Sequence, residues 1–327
     1  MAMFVSAVAC AVAAGLSPLL LRPILQRSGV LDVPNARSSH AKPKLRGMGI
    51  ATSIGMLIGT ILAPTYLPLW LVVGVSVGMA ILGFVDDVRS LSARVRFVLQ
   101  FVFGLLFGAA SAVAFDIPWW TVPLVAALFA AFVNMANFMD GANGISSLFG
   151  AVAGTAFAVI GIATDREWLS VAGALIGIAF LLFLPWNVLG AGMFLGDCGS
   201  YLLGSSVATT SIAAIASGVP WPTALAPMAV YATDTSSTIV ARLIRGERWW
   251  EAHRQHVYQR LIDSGSSHLS VALLLALFVA FASTGGMLAL IDLPGATAIA
   301  AGAVIAVCAA YMLVSRRVIS LRRKVST

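Results

Sequence analysis

Apolar runs long enough to cross a lipid bilayer recur eleven times along this chain, at about 2–22, 47–64, 67–85, 97–115, 119–136, 145–163, 168–185, 199–217, 222–241, 269–290 and 296–314. A hydrocarbon core about 30 Å thick needs roughly 20 such residues in helical form. Inside it no water satisfies the peptide groups, so a spanning segment must close its hydrogen bonds within a helix or a barrel. Barrel strands would alternate apolar and polar residues over about ten positions. These runs are continuous, which selects helices. Only 10% of the residues are charged, against about 25% in a soluble domain. The expected fold is all-α: a polytopic membrane protein of about eleven transmembrane helices, forming a single domain over residues 1–327.

Orientation follows from the basic residues. With the N-terminus outside, nineteen of the 20 Lys and Arg fall on one side, in the loops around Arg37, Arg94 and Arg254 and in the tail from Arg316. Arg166 alone falls opposite. Positive charge marks the cytoplasmic side, which places the C-terminus in the cytoplasm. The net charge of +7 is therefore a topology signal, and nucleic-acid binding is not needed to explain it. The same surface favours anionic membrane lipids or phosphorylated substrates. No basic residue precedes the first run, which reads as a retained span and not as a cleaved signal. Cys10, Cys198 and Cys308 show no framework spacing and read as small apolar filler.

Polar residues gather where the runs end. Between the fifth and sixth lie Asn134, Asn137, Asp140, Gly141, Asn143 and Gly144. Asn134 and Asn137 are three apart, so both amides share a helix face, and Asp140 continues the row. The two glycines let the backbone leave helical geometry beside a flat ligand. A plain capped turn would use similar residues. The third run ends in Asp86-Asp87, followed by Arg89, Arg94 and Arg96. Adjacent carboxylates repel unless a cation or proton compensates them; such a group can hold a metal on one side and phosphates on the other, or simply form a surface ion-pair cap. Asp197 opens the eighth run, where it can cap the helix, bind a metal, or do both.

The last inner loop carries His253, Arg254, His256 and Arg260. Two histidines without a third, or a Cys, make a poor zinc site, and the surrounding carboxylate and amide oxygens suit Mg²⁺. With Arg254 and Arg260 the histidines look more like a phosphate clamp, because guanidinium forks match phosphate oxygens. The first inner loop holds Arg37, His40 and Arg46 between Pro34 and Gly47 and reads as a flap over an anionic substrate, or as an ordinary basic loop. Asp234 lies inside the ninth run, with a hydroxyl of Thr233, Thr235 or Ser237 as its simplest partner. All these groups except Asp234 fall at the cytoplasmic ends. Such a site suits transfer from a water-soluble phosphorylated donor to a membrane-held acceptor. Mg²⁺ and Arg would neutralise phosphate charge, and a carboxylate would orient or deprotonate the nucleophile.

At this point the chain resembles the polyprenyl-phosphate N-acetylhexosamine-1-phosphate transferases, glycosyltransferase family 4. The matching stretches are LDVPNARSSHAKPKLRGMG, GFVDDVRSLSARVRFVLQ, NMANFMDGANGISS, FLGDCGSYLLG and AHRQHVYQRL, in family order from residue 31 to 261. The resemblance implies that the phosphate of undecaprenyl phosphate attacks the β-phosphorus of a UDP-N-acetylhexosamine and releases UMP, at the cytoplasmic face of a bacterial inner membrane. It implies catalytic roles for Asp86 and Asp87, with Asp140 beside them, and Mg²⁺ (or Mn²⁺) at Asn137 and Asp197. Arg94 and Arg96 take the place of phosphate-binding residues, and His253, Arg254 and His256 fall at the nucleotide-sugar loop. Asn134, Asn143, Arg37 and His40 complete the expected substrate contacts, and a homodimer is compatible with the family. Many bacterial members carry Asp where this chain has Asn143, so here that position is expected to read the donor's uracil or acetamido group. The form of the last loop is similar to members that initiate O-antigen or other surface polysaccharides. An ion-coupled transporter is the main alternative; it would place acids near the midplane in repeated halves, and only Asp234 lies so deep. A phosphatidyl-group transferase would need an Asp-Gly and Ala-Arg motif that is absent.

Overall fold

The computed structural model describes residues 1–32, 44–189, 192–248 and 253–325. Its helices are α1 (Ala2–Arg27), α2 (Gly49–Leu62), α3 (Leu67–Arg89), α4 (Ala93–Phe115), α5 (Val122–Met139), α6 (Ile145–Ala163), α7 (Glu167–Val188), α8 (Gly196–Ala216), α9 (Trp221–Leu225), α10 (Ala229–Ile244), α11 (Val257–Asp263), α12 (His268–Gly286) and α13 (Ala296–Val325). The all-α polytopic expectation holds. Two residues each from β1 (Leu31–Asp32) and β2 (Lys44–Leu45) form a small antiparallel ribbon pairing Leu31 with Leu45.

Helical segments occupy all eleven apolar runs, but they are not equivalent. Among the described residues, nine helices are long and apolar enough to cross a membrane. The run at 47–64 yields α2, whose 14 residues reach only about 21 Å at 1.5 Å per residue. The run at 222–241 is broken: α9 gives way to a 3₁₀ turn at Ala226–Met228 before α10 begins. Pro227 within that turn lacks the amide hydrogen a continuous α-helix would use.

Helix α8 is the hub, packed between α3 and α5, while α6 pairs with α7 and α12 bridges α6 to α13. Of its apolar window 94% is buried, against 17% for α13, whose outer faces are left for lipid. Yet α8 is rich in hydroxyls. Ser205 Oγ donates to the Tyr201 carbonyl at 2.6 Å and Thr209 Oγ1 to that of Ser205 at 2.7 Å. Bonding back one turn satisfies these two hydroxyls within their own helix, so small polar residues can sit at the centre of the bundle. Close approach of α3 needs Gly83: a Cβ there would overlap the carbonyl of Asp197. That contact brings the C-terminal end of α3 onto the first turn of α8, where the polar clusters meet.

Candidate active site

Backbone pairing first sets the position of Arg46. Phe194 N donates to Leu45 O at 2.8 Å, and Met48 N and Gly49 N donate to Phe194 O and Leu195 O at 3.1 and 2.9 Å. The segment entering α2 thus lies along the segment entering α8. Arg46 then reaches two acids at once: Nε is 2.6 Å from Asp87 Oδ1 and a terminal nitrogen is 2.7 Å from Asp197 Oδ2. Asp87 is fully buried. It also accepts the backbone N–H groups of Asp197 and Cys198 at 2.8 and 3.0 Å, which are orphan donors at the start of α8. A carboxylate there is favoured by the helix dipole as well.

Asp86, one residue earlier and about 100° around the helix, has separate partners. It accepts from Leu91 N at 2.8 Å and from the Tyr201 hydroxyl at 2.8 Å, and pairs with Arg96 at 3.3 Å. Repulsion in the adjacent acidic pair is therefore relieved by two different cations. Arg94 is exposed and has no side-chain partner among the described residues.

On the α5 side, Asn137 donates to Asp197 Oδ1 at 2.7 Å and to Ser200 Oγ at 2.9 Å. Helix α5 stops at Met139, so Asp140 leaves the row rather than continuing it. The Ser146 hydroxyl donates to its Oδ1 at 2.5 Å, and the other oxygen has no partner among the described residues. Burial pushes this carboxyl up to about 7; the charges of Asp197 and Asp87 act in the same direction, against the Ser146 hydrogen bond and Arg46. Gly144 adopts φ +87°, as a residue without Cβ can, and donates its N–H to Asn187 Oδ1 at 2.5 Å. Asn187 in turn donates to the Met193 carbonyl at 2.9 Å, fastening this loop to the α7–α8 connection. Asn143 is half-buried; its backbone N–H donates to His268 Nδ1 at 3.4 Å, and its side chain has no partner among the described residues. Asn134 departs from expectation. Its amide donates to Gln100 Oε1 at 2.5 Å and to the Ala130 carbonyl at 2.8 Å, so it braces α5 against α4.

The loop that carries the histidines is tied to the same place by Asp234. Its carboxylate accepts from Val257 N at 2.9 Å, Tyr258 N at 3.1 Å and the Tyr311 hydroxyl at 2.6 Å. The expected partner, a hydroxyl of Thr233, Thr235 or Ser237, is thus corrected: Ser237 donates to the Asp234 backbone carbonyl and not to its carboxylate, because a side chain so close in sequence reaches its own helix first. Tyr258 completes the link by donating to the Phe138 carbonyl at 2.9 Å. His256 is buried and stacks on Phe138, with His253 at 4.9 Å between ring centroids. Burial first, then His256 and Arg242, push the His253 imidazole down to about 4. Arg254 pairs with Asp263 at 2.8 Å. Arg37 and His40 lie outside the described residues.

Whether these residues fit a divalent cation can be judged from their donors. Asn137 Oδ1 has no partner among the described residues, and Asp197 supplies a neighbouring carboxylate; both are hard oxygen donors of the kind Mg²⁺ takes. Both Asp197 oxygens already accept N–H donors, from Asn137 and Arg46. No closed group of three His, Cys, Asp or Glu ligands occurs among the described residues. The set fits an ion whose remaining positions are filled by substrate phosphate or water.

Comparison with known proteins gives the geometry its context. The model of glycosyl transferase family 4 matches residues 69–215. The chain is 24% identical, over 77% of its length and 76% of the other's, to a "probable undecaprenyl-phosphate N-acetylglucosaminyl 1-phosphate transferase" of Bacillus subtilis. It is 27% identical, over 90% and 84%, to the decaprenyl-phosphate N-acetylglucosaminephosphotransferase of Mycolicibacterium smegmatis. Over residues 69–215 the chain is similar to glycosyl transferase family 4. A phospho-N-acetylmuramoyl-pentapeptide-transferase of Halalkalibacterium halodurans is 29% identical over 61% of the chain and 70% of its own length. The family match spans every acid of the cluster from Asp86 to Asp197, but not Arg46, Asp234 or the histidine loop.

Several participants escaped the sequence reading. Arg46 was visible as a flap residue, but nothing local marked it as the bridge between Asp87 and Asp197. Tyr201 is one helical turn beyond Asp197 on α8, a spacing that could have flagged it. Asn187, Gln100, His268 and Tyr311 gave no signal, because each has a partner on another segment of the chain.

Proposed function

We propose that the protein transfers an N-acetylhexosamine 1-phosphate from a UDP-sugar to undecaprenyl phosphate at the cytoplasmic end of the bundle. A phosphate oxygen of the lipid forms a bond to the β-phosphorus. The bond from that phosphorus to the bridging oxygen breaks, UMP leaves with the oxygen, and a lipid-linked diphosphate sugar remains. Support for a polyprenyl-phosphate acceptor comes from the names of the two relatives above. The observation that carries the reading is the junction of four helix ends at which Arg46, Asp87, Asp197 and Asn137 are joined by contacts of 2.6–2.8 Å.

In this reading the acids divide their work. Asp86 and Asp87 are saturated by donors and position Arg96, Arg46 and the start of α8. Asp140 keeps one oxygen unclaimed and titrates near neutrality, which suits the group that orients the lipid phosphate or accepts its proton. Asn137 and Asp197 would hold Mg²⁺, which when bound neutralises the diphosphate and polarises the reacting phosphorus. Arg46 leaves Asp197 as the donor's phosphates arrive and meets their charge instead. Arg94 is exposed beside the cluster and available to a phosphate. Asn143, with its side chain unpaired, reads the uracil or acetamido group.

The test is purified protein with Mg²⁺, undecaprenyl phosphate and a panel of UDP-N-acetylhexosamines. UMP should appear with at least one donor. Release of UDP would mean that the sugar moves without its phosphate, and the mechanism would be wrong.

A further inference from the structure

A second basic site lies on the far side of α11. A cleft of about 820 Å³ runs between α10, α11 and α13. Its α13 wall is Met312, Arg316 and Ile319, spaced four and three apart and therefore on one helix face. From α11 come Val257, Arg260 and Asp263, again three apart. Tyr258, two residues before Arg260, points the opposite way and donates to Phe138 O in the acidic site. Neither His253 nor His256 lines the cleft. Arg260 is therefore parted from the histidines with which the sequence had grouped it as a phosphate clamp.

The charges in this cleft do not cancel. Arg245 pairs with Glu247 at 2.5 Å and Arg254 with Asp263 at 2.8 Å. The guanidinium groups of Arg260 and Arg316 line the same cleft and have no partner among the described residues. Two uncompensated forks suit the oxygens of one phosphate. The rest of the wall narrows the choice of ligand. Among the described residues no aromatic ring lines the cleft to stack a base, whereas Met312, Ile319, Val257 and Ala241 are apolar. Arg316 stands near the end of the membrane-length span Ala296–Arg322, the level at which headgroups meet a helix, and on the basic side that attracts anionic lipid.

We propose that this cleft binds the phosphate headgroup of an anionic phospholipid through Arg260 and Arg316, as a structural lipid site separate from the transfer site. The proposal does not depend on the transferase reading. It is tested with the purified full-length protein in detergent, following thermal unfolding while dioleoylphosphatidylglycerol, dioleoylphosphatidylcholine or inorganic diphosphate is titrated. Phosphatidylglycerol should raise the Tm of the wild type, and the concentration required should rise at least tenfold in R260Q/R316Q. The variant R260K/R316K, which keeps the charge, should stay within threefold of wild type. If R260Q/R316Q does not fold, each single Gln variant should show a shift of about threefold. An unchanged phosphatidylglycerol response in the Gln variants overturns the proposal, as does an equal response to phosphatidylcholine in the wild type. A response to diphosphate alone, or a raised donor KM with lipid binding intact, would hand the cleft to a soluble phosphate and also overturn it.

Discussion

Asp140 differs from the acids around it in what it lacks. Asp86, Asp87 and Asp197 have each oxygen engaged by a donor, whereas Asp140 has one oxygen held by Ser146 and one without a partner among the described residues. Asp140→Asn keeps the size and loses the proton acceptor, so kcat should fall about 10²–10⁴-fold while Tm in detergent stays near wild type; unchanged turnover would remove Asp140 from the chemistry. Asn143→Ala should raise the KM for the UDP-sugar and leave the Mg²⁺ requirement unchanged, because among the described residues the side chain is hydrogen-bonded to neither Asn137 nor Asp197. A raised Mg²⁺ requirement at constant donor KM would place Asn143 at the metal. His253 carries a pH signature. Its imidazole titrates at about 4 in the folded chain, against the ordinary 6.5, so between those values the unfolded chain binds a proton that the folded chain does not. Stability should therefore fall as pH drops from 6.5 towards 4. Tm measured across that window should show a shallower fall in His253→Gln, and identical slopes would contradict the assigned burial.

At the scale of elements, α11 is held in place by a side chain from another helix. Asp234 satisfies the first two amides of α11 and the Tyr311 hydroxyl of α13 from a fully buried position. Removing it strands three donors, each costing roughly 1–3 kcal/mol. Asp234→Ala should therefore lower Tm far more than Tyr311→Phe, which loses one hydrogen bond worth about 1 kcal/mol. Equal losses would show that the cap is not what Asp234 supplies. This link also marks where a sequence stops being legible. The apolar runs announced their helices because membrane length and apolarity are local properties. The acids announced themselves because charge at a membrane edge is costly wherever it occurs. Tyr311 lies 77 residues from Asp234, and Arg46 lies 151 from Asp197; such pairs are decided by helix packing, which leaves no local trace. Asn134 shows the converse. Its spacing to Asn137 does put both on one side of α5, yet it is close enough to Gln100 on α4 to be used as a brace.

The whole molecule is a bundle whose polar hub, α8, begins in the acidic cluster and runs buried into the apolar core. Helices of opposite direction bring Arg46, Asp87, Asp140 and Asp197 from four separate segments to one end, and α11 is pinned over the same end through Tyr258. The two runs that do not form one unbroken membrane-length α-helix, at α2 and at α9–α10, are those that connect to Arg46 and to the histidine loop at this end; the break and the short helix were not visible in the count of apolar residues. The central claim is that the chain moves a phosphorylated sugar and not a bare one. It is tested most directly by supplying UDP-N-acetylglucosamine, or whichever donor is active, carrying radioactive phosphorus in the β position or, separately, in the α position. With undecaprenyl phosphate and Mg²⁺, the β label should pass into the organic-soluble lipid and the α label should stay in the aqueous phase as UMP, and Asp197→Ala should abolish the transfer. Both labels remaining in water together as UDP while sugar enters the lipid would contradict the account.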